Sequence, residues 1–362
     1  MYIKNLKLKN FRNYENESVD FTEGLNVLFG RNAQGKTNCA EAVFYLCTGT
    51  SPRSKRDKQL IRHGCDFAEI SALAEGRYGD IEISAHITEN SREVRINGNK
   101  ITRNADILGN IYSVFFSPHE LRLIQDGPDE RRRFLNISIS QLSKPYYVAL
   151  SRYNKILEQR NNLLKNKDIT LVYDTLPVWD EQLCKYAAVI AYKRAEFISM
   201  LSPIAEGIHF ELTDGEEKLV ISPEKKYKGD EKQLSERLFA ELCANYERDI
   251  RLGFTSSGPH RDDLDILIDG TDAKTFASQG QTRTAALSIK LAEVEIFKQL
   301  SGEYPVLILD DVLSELDLPR RKKLTARTQD NQTILTCTHA ERVLYKKQVN
   351  KIRIEGGRVK RC

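Results

Sequence analysis

No apolar run in these 362 residues approaches the roughly 20 needed for a membrane-spanning helix; Ala187-Ala188-Val189-Ile190-Ala191 is typical of the longest. No membrane contact is expected. Met1-Tyr2-Ile3-Lys4 lacks the charged and apolar regions of a secretion signal, so a cytoplasmic protein is expected. Cysteine is scattered: Cys39, Cys47, Cys65, Cys184, Cys243, Cys337 and Cys362 never form Cys-x-x-Cys, which removes that route to zinc or redox chemistry and predicts reduced, structural thiols. A strong excess of one charge sign is also missing, and a net charge of +4 identifies no polyanion partner. Internal repeats, low-complexity segments and sustained heptads are absent as well.

What is present is a soluble, globular composition, 40% hydrophobic and 29% charged, on a chain longer than one average domain. Ile3-Lys4-Asn5-Leu6-Lys7-Leu8 alternates as a strand, and Leu25-Asn26-Val27-Leu28-Phe29 reads as a second strand, followed by a helix over 37–46. Alternation over 81–87 and 93–98, with the turn Asn97-Gly98-Asn99, predicts an antiparallel sheet. Residues 130–202 change to helical spacing and read as two long helices, separated by Asn166-Lys167-Asp168 and Pro177. Strands return at 219–221 and 264–268, with a helix-like segment over 232–251 between them and Asp269-Gly270 as a turn. A helix over 277–300 and a buried parallel strand over 306–309 follow. The expectation is an α/β chain with a discontinuous head lobe, 1–118 and 253–362, carrying a mixed and an antiparallel sheet. A mostly helical lobe, 119–252, is inserted into it.

Gly30-Arg31-Asn32-Ala33-Gln34-Gly35-Lys36-Thr37 fits Gly-x-x-x-x-Gly-Lys-Thr between a strand and a helix. Glycines let backbone amides wrap phosphates, Lys36 offers a positive charge to the β- and γ-phosphates, and Thr37 offers a hydroxyl to Mg²⁺. ATP with Mg²⁺ is the expected ligand. Asp310 ends an aliphatic strand, where a carboxylate would reach the same metal.

With Ser278-Gln279-Gly280-Gln281 preceding that strand, the set resembles the ATP-binding-cassette (ABC) P-loop ATPases. In that class the Ser-x-Gly-Gln element opens a helix whose amides cap the γ-phosphate on a second subunit. Ser278, Gly280 and Gln281 of one copy would thus complete the Lys36 and Asp310 site of another, giving an ATP-dependent homodimer. Asp311 stands where the class usually has a glutamate that orients the attacking water. One methylene shorter, it predicts a weak ATPase that times a bound state. Ser314-Glu315-Leu316-Asp317 matches a loop that crosses the subunit interface and would place Asp317 near the opposite site; alone, Ser-x-x-Asp is a common helix cap. His339 follows Thr333-Ile334-Leu335 and either senses the γ-phosphate or is an ordinary surface or core residue. Arg12 either reaches nucleotide from the first turn or lies in a solvated loop.

Several segments together resemble the RecF family of bacterial recombinational repair proteins: Leu8-Lys9-Asn10-Phe11-Arg12-Asn13-Tyr14, the phosphate loop, Ser257-Gly258-Pro259-His260-Arg261-Asp262-Asp263-Leu264, Ser278 to Arg283, and Leu309 to Asp317. Phe116-Ser117-Pro118-His119-Glu120-Leu121 and the segment 127–135 add to the likeness. His119, Asn136 and Asn32-Ala33 depart from the family habit, which is an acidic residue, an aspartate and Asn-Gly respectively. The resemblance implies an ABC-type head related to SMC heads, ATP-dependent dimerisation and DNA binding at gaps or single-strand to double-strand junctions. It also implies cooperation with RecR and RecO in loading RecA.

Arg53, Lys55, Arg56, Lys58 and Arg62 follow the phosphate-loop helix, and Arg131-Arg132-Arg133 opens the helical lobe. Closed face to face, two subunits would line a groove with them and neutralise phosphates without reading bases. Solvated faces balanced by Asp57, Asp129 and Glu130 are the alternative. The basic end, with Lys346, Lys347, Lys351, Arg353, Arg358, Lys360 and Arg361, reads as a solvated face. An SMC-like architectural ATPase would need long heptad arms, for which residues 145–202 are too few. A transporter-type ABC subunit is opposed by Arg12 and the 257–263 segment.

Overall fold

The computed structural model describes residues 1–340 and 349–361; Lys346 and Lys347 lie outside the described residues. The chain divides into two compact units, residues 1–121 with 208–216 and 278–362, and residues 122–207 with 217–277.

The first unit contains two six-stranded sheets. At the centre of one run Leu25–Phe29, Thr333–Cys337 and Val306–Asp310, mutually parallel, with Ser113–Phe116 outside Val306–Asp310 and Asn350–Glu355 outside Leu25–Phe29. The last two of those three central strands are buried throughout, which is why their sequences, VLILD and TILTC, lack the apolar–polar alternation of a half-buried strand. Arg358–Arg361 closes the edge antiparallel. Alternation of Ile352 and Ile354 with Lys351, Arg353 and Glu355 marks this outer strand, so the basic C-terminal end is part of the sheet and not only a solvated face.

The other sheet is antiparallel and runs Tyr14–Asp20, Tyr2–Phe11, Phe67–Gly76, Gly79–Thr88, Arg92–Ile96 and Asn99–Ile101. Its first strand buries Ile3, then Leu6 and Leu8, because a bulge between Ile3 and Asn5 shifts the inward parity by one residue. The predicted turns hold: Asn97 and Gly98 have φ 49° and 78°, and Asp269 and Gly270 have φ 51° and 78°, the left-handed pairs a two-residue hairpin loop requires.

The second unit combines the helices Pro128–Leu142, Lys144–Leu163 and most of Ile169–Leu212 with Glu231–Ala244, Tyr246–Leu252 and a three-stranded sheet. Pro177 does not separate two helices as expected; it sits inside a 44-residue helix together with Pro203. A proline removes one amide and frees the carbonyl four residues earlier. Those carbonyls belong to Tyr173 and Ser199, both exposed, where water can take them, while Val172, Leu176, Asp180 and Leu183 keep a buried stripe across Pro177.

Residues 253–277, grouped with the head on sequence, cluster in the second unit. Strand Leu264–Ile268 pairs antiparallel with Leu219–Pro223, and the segment before it holds the helices together. Asp263 receives the Arg131 guanidinium at both oxygens, 2.5 and 2.7 Å. The Asp262 carboxylate accepts Tyr227 Oη at 2.7 Å, and the Pro259 carbonyl accepts Arg194 at 2.6 Å. Nearby, Arg160 is fully buried between Asp180 and Asp249, at 2.5 and 2.8 Å. Removing one partner of such a trio costs about 3–5 kcal/mol by stranding a buried charge.

His260 lies between the Tyr153 hydroxyl, 2.6 Å from Nδ1, and the Thr255 carbonyl, 3.1 Å from Nε2. Burial drives its pKa down to about 4, Arg261, Arg132 and Arg160 push the same way, and the Thr255 carbonyl opposes them. The ring is therefore neutral in the fold but binds a proton once unfolded. Its contribution is complete above pH 6.5 and is lost as pH falls toward 4, on the order of 3 kcal/mol for that interval. Thermal unfolding at pH 7, 5 and 4 should show this loss, and His260→Asn should lower stability at pH 7 yet flatten the curve between pH 6.5 and 4.

Candidate functional site

The site forms where the central parallel strands of the first unit end. Phe29 is in register with Cys337, and Thr336 with Asp310, so the phosphate loop, the acidic pair and Thr338-His339 emerge at one end of the sheet. Gly30 and Gly35 take φ 148° and 117°, and helix Lys36–Thr48 starts immediately after Gly35. Backbone amides at this helix start carry the positive end of the helix dipole.

Thr37 Oγ1 donates to Asp310 Oδ1 at 2.8 Å, and Thr336 Oγ1 donates to the same oxygen at 2.7 Å. Burial pushes the Asp310 carboxyl up, against the pull of Thr336 and Thr37. Lys36 Nζ donates to the carbonyls of Gly30 and Arg31, both at 2.8 Å. Burial lowers its pKa, while Asp311, Cys337 and Asp310 act to keep the proton. A buried ammonium, a helix start and a hydroxyl–carboxylate pair suit a polyphosphate with a hard cation. Among the described residues no cluster of three or more His, Cys, Asp or Glu is placed to hold a metal. Thr37 and Asp310 alone fit Mg²⁺, which takes few protein oxygens and completes its shell with water and phosphate.

Three residues here hold left-handed backbone without being glycine: Arg12 at φ 54°, Ala33 at 61° and Asp311 at 55°. Each stores roughly 1–2 kcal/mol of strain, which persists where surrounding contacts fix the geometry. For Asp311 the contact is its amide, donated to Thr336 Oγ1 at 3.0 Å. At Ala33 the strain follows from its Cβ, since only glycine occupies this region freely. Arg31, Asn32 and Ala33 are exposed at the crest of the loop, and Gln34 is half-buried.

Arg12 is neither free nor in a solvated loop. Its guanidinium grips both Glu41 oxygens, at 2.9 and 2.8 Å, and also reaches the Gln59 carbonyl and Ser54. Arg53 joins the same carboxylate at 2.5 Å, and so does Ser51 at 2.6 Å. Burial pushes the Glu41 carboxyl up, yet these partners outweigh it and hold it below the usual carboxylate range. Sequence reasoning passed over Glu41; an acid inside the apolar run Cys39-Ala40-Glu41-Ala42-Val43-Phe44 is the signal, because a buried charge needs partners.

Ser278 caps the 23-residue helix Gln279–Ser301 in a reciprocal box: its hydroxyl accepts the Gln281 amide at 3.2 Å, and Gln281 Oε1 accepts the Ser278 amide at 2.9 Å. Ser278, Gln279 and Gly280 are exposed. Apart from the helix ladder, the hydrogen bonds of Ser278, Gly280 and Gln281 among the described residues stay within residues 278–284, and none reaches the phosphate loop. Asp317 is exposed and caps helix Leu318–Arg327 through the Arg320 amide at 2.9 Å. His339 is exposed, with Nδ1 against the Thr338 hydroxyl at 3.0 Å.

The basic residues sort by what already holds them. Lys55 and Arg56 are exposed and make no ion pair among the described residues, whereas Lys58 faces Glu89 and Arg62 faces Glu15. Arg131 is buried, 5% exposed, and committed to Asp263, which removes it from any DNA-facing surface; a guanidinium cannot serve a phosphate while forked onto a carboxylate. Arg132 donates to the Asp262 carbonyl at 2.7 Å and pairs with Asp129, and Arg133 lies 3.5 Å from Glu130.

The family model described as RecF/RecN/SMC N terminal domain matches residues 2–360. The DNA replication and repair protein RecF of Clostridium acetobutylicum is 42% identical, covering 99% of each chain. That of Ruminiclostridium cellulolyticum is 40% identical over the whole of both. A solved structure of the recombination mediator protein RecF with ATP, in the RecFOR pathway, superposes with a TM-score of 0.91 at 34% identity, covering 100% of this chain and 97% of that one. An SMC head domain from Pyrococcus furiosus, at 16% identity and TM-score 0.59 over 99% of this chain and 95% of its own, shares the fold. By fold, full-length similarity and the matched segments, this chain belongs to the RecF family.

Proposed function

We propose that this chain is a DNA repair and replication-maintenance ATPase in which ATP joins two copies and the joined pair holds DNA at single-strand gaps or junctions. The observation that carries the reading is that two halves of a nucleotide site coexist on one chain without bonding to each other. Lys36, Thr37 and Asp310 form one half; the exposed helix start at Ser278 and Gly280 is the other. A helix N-terminus with unpaired amides suits an anion carried by a second copy.

In this reading Lys36 exchanges the carbonyls of Gly30 and Arg31 for phosphate oxygens. Thr37 and Asp310 hold Mg²⁺, which when bound supplies charge neutralisation on the β- and γ-phosphates. Asp311 orients the attacking water, and its short side chain makes hydrolysis a slow release step. Asp317 and His339, both exposed, are available to a second copy or to the γ-phosphate. Arg12 acts on nucleotide through its hold on Glu41 and the phosphate-loop helix. DNA phosphates meet Lys55 and Arg56 first, with Arg53, Arg132 and Arg133 adding charge around ion pairs they already make. The solved relative's place in the RecFOR pathway supports RecO and RecR as partners, and the family resemblance adds RecA loading as the outcome. Among the described residues no helix is long and apolar enough to cross a membrane.

Sedimentation velocity tests the central step. ATP with Mg²⁺ should shift the chain from monomer to dimer, while Ser278→Arg and Lys36→Met should stay monomeric; a lone monomer that saturates with ATP and hydrolyses it at full speed would reject the reading. Turnover should stay below about 10 s⁻¹, an ordinary enzyme rate. Reversing Lys55 and Arg56 together to glutamate should leave ATP affinity intact. It should reduce the slope of log DNA affinity against log salt by about 2, one unit per lost phosphate contact.

A further inference from the structure

The phosphate loop is held from the far end of the chain. Strand Asn350–Glu355 runs parallel to Leu25–Phe29 and ends beside the start of the loop, with Arg353 in register with Phe29. There a Cβ on Gly30 would lie 2.3 Å from the Ile354 carbonyl oxygen, so the two backbones touch. The hairpin then turns at Gly356-Gly357, with φ 58° and 73°. Both turn amides donate to Gln34: Gly356 N to Oε1 at 2.6 Å, and Gly357 N to the backbone carbonyl at 2.9 Å. Asn13 Nδ2 reaches that same carbonyl at 2.9 Å. The fit leaves no room for a side chain, because a Cβ on Gly357 would lie 2.3 Å from the Asn13 carbonyl oxygen.

Three donors therefore converge on Gln34, the residue directly after the left-handed Ala33. An alanine leaves that conformation unless its neighbours are fixed. We infer that the Gly356-Gly357 turn of the C-terminal hairpin is a positioning element of the phosphate loop, acting through Gln34 to keep Ala33 left-handed and the loop amides aimed at phosphate. This rests on the nucleotide reading of the loop. It deepens that reading by giving a role to residues more than 300 positions away.

The test is direct binding of a fluorescent N-methylanthraniloyl-ATP with Mg²⁺ to the full chain. Gln34→Ala, which removes the Gly356 contact and leaves the two donors on the backbone carbonyl, should weaken binding about 3-fold to 10-fold, the equivalent of one lost hydrogen bond. Gly357→Ala should weaken it at least as much. Adding Ala33→Gly to Gln34→Ala should restore affinity to within about 2-fold of the parent, because glycine holds the left-handed region without help. A merely structural contribution of Gln34 would not be repaired by glycine at 33. If Gly357→Ala fails to fold, the Gln34 and Ala33 pair still decides the matter. Equal binding by parent and Gln34→Ala, or failure of glycine to rescue, would overturn the positioning role alone. A parent that binds no analogue would overturn the nucleotide reading and the proposal with it.

Discussion

A single carboxylate oxygen gathers the chemistry of the first unit. Asp310 Oδ1 takes hydrogen bonds from Thr37 and Thr336, so the phosphate-loop helix, the acidic strand and the strand between them in the sheet meet at one atom. These contacts exist only because three buried parallel strands end together, and that alignment is a property of register. A buried carboxylate is costly unless hydrogen-bonded. Here its donors are the hydroxyls that set Thr37 for a metal and fix the Asp311 amide. Folding and site assembly are thus satisfied by the same bonds.

Around that point the backbone is strained at Arg12, Ala33 and Asp311, and each strained residue is matched by a clamp. Arg12 is locked on Glu41, Asp311 on Thr336, and Ala33 is followed by the triply held Gln34. Strain of this kind survives only where contacts over-determine it. The Glu41 cluster adds that Arg53, from the basic segment, and Arg12, from the first turn, share one buried carboxylate on the phosphate-loop helix.

The second unit has its own keystone in the segment 257–263. Its residues are tied to Arg131, Tyr153, Arg194 and Tyr227, which come from separate helices and from the loop after a strand. Residues of this family-like segment are thereby committed to internal contacts, and so is Arg131 of the basic cluster expected to face DNA. A run of arginines does not announce which members face solvent; the pairing of buried Arg131 with Asp263 decides it. Charge pattern names a surface only after the fold has used the charges it needs.

Much of this protein was legible from residues alone where the physics is local. The phosphate loop requires glycines at fixed spacing, Ser278 with Gln281 forms its cap within one turn, and Asn97-Gly98 and Asp269-Gly270 set their own backbone. Unbroken aliphatic runs such as Val306 to Leu309 announce burial without any partner being known. Tertiary structure decided what depends on distant partners: that Pro177 continues a helix because its stripe stays buried, that residues 253–277 pair with the second unit, that Glu41 joins Arg12 to Arg53. It also decided that a glycine pair near the C-terminus braces a loop near the N-terminus. Local conformational preference is written in neighbouring residues, whereas the satisfaction of a buried charge or carbonyl is settled by whichever distant group the fold brings within hydrogen-bonding reach.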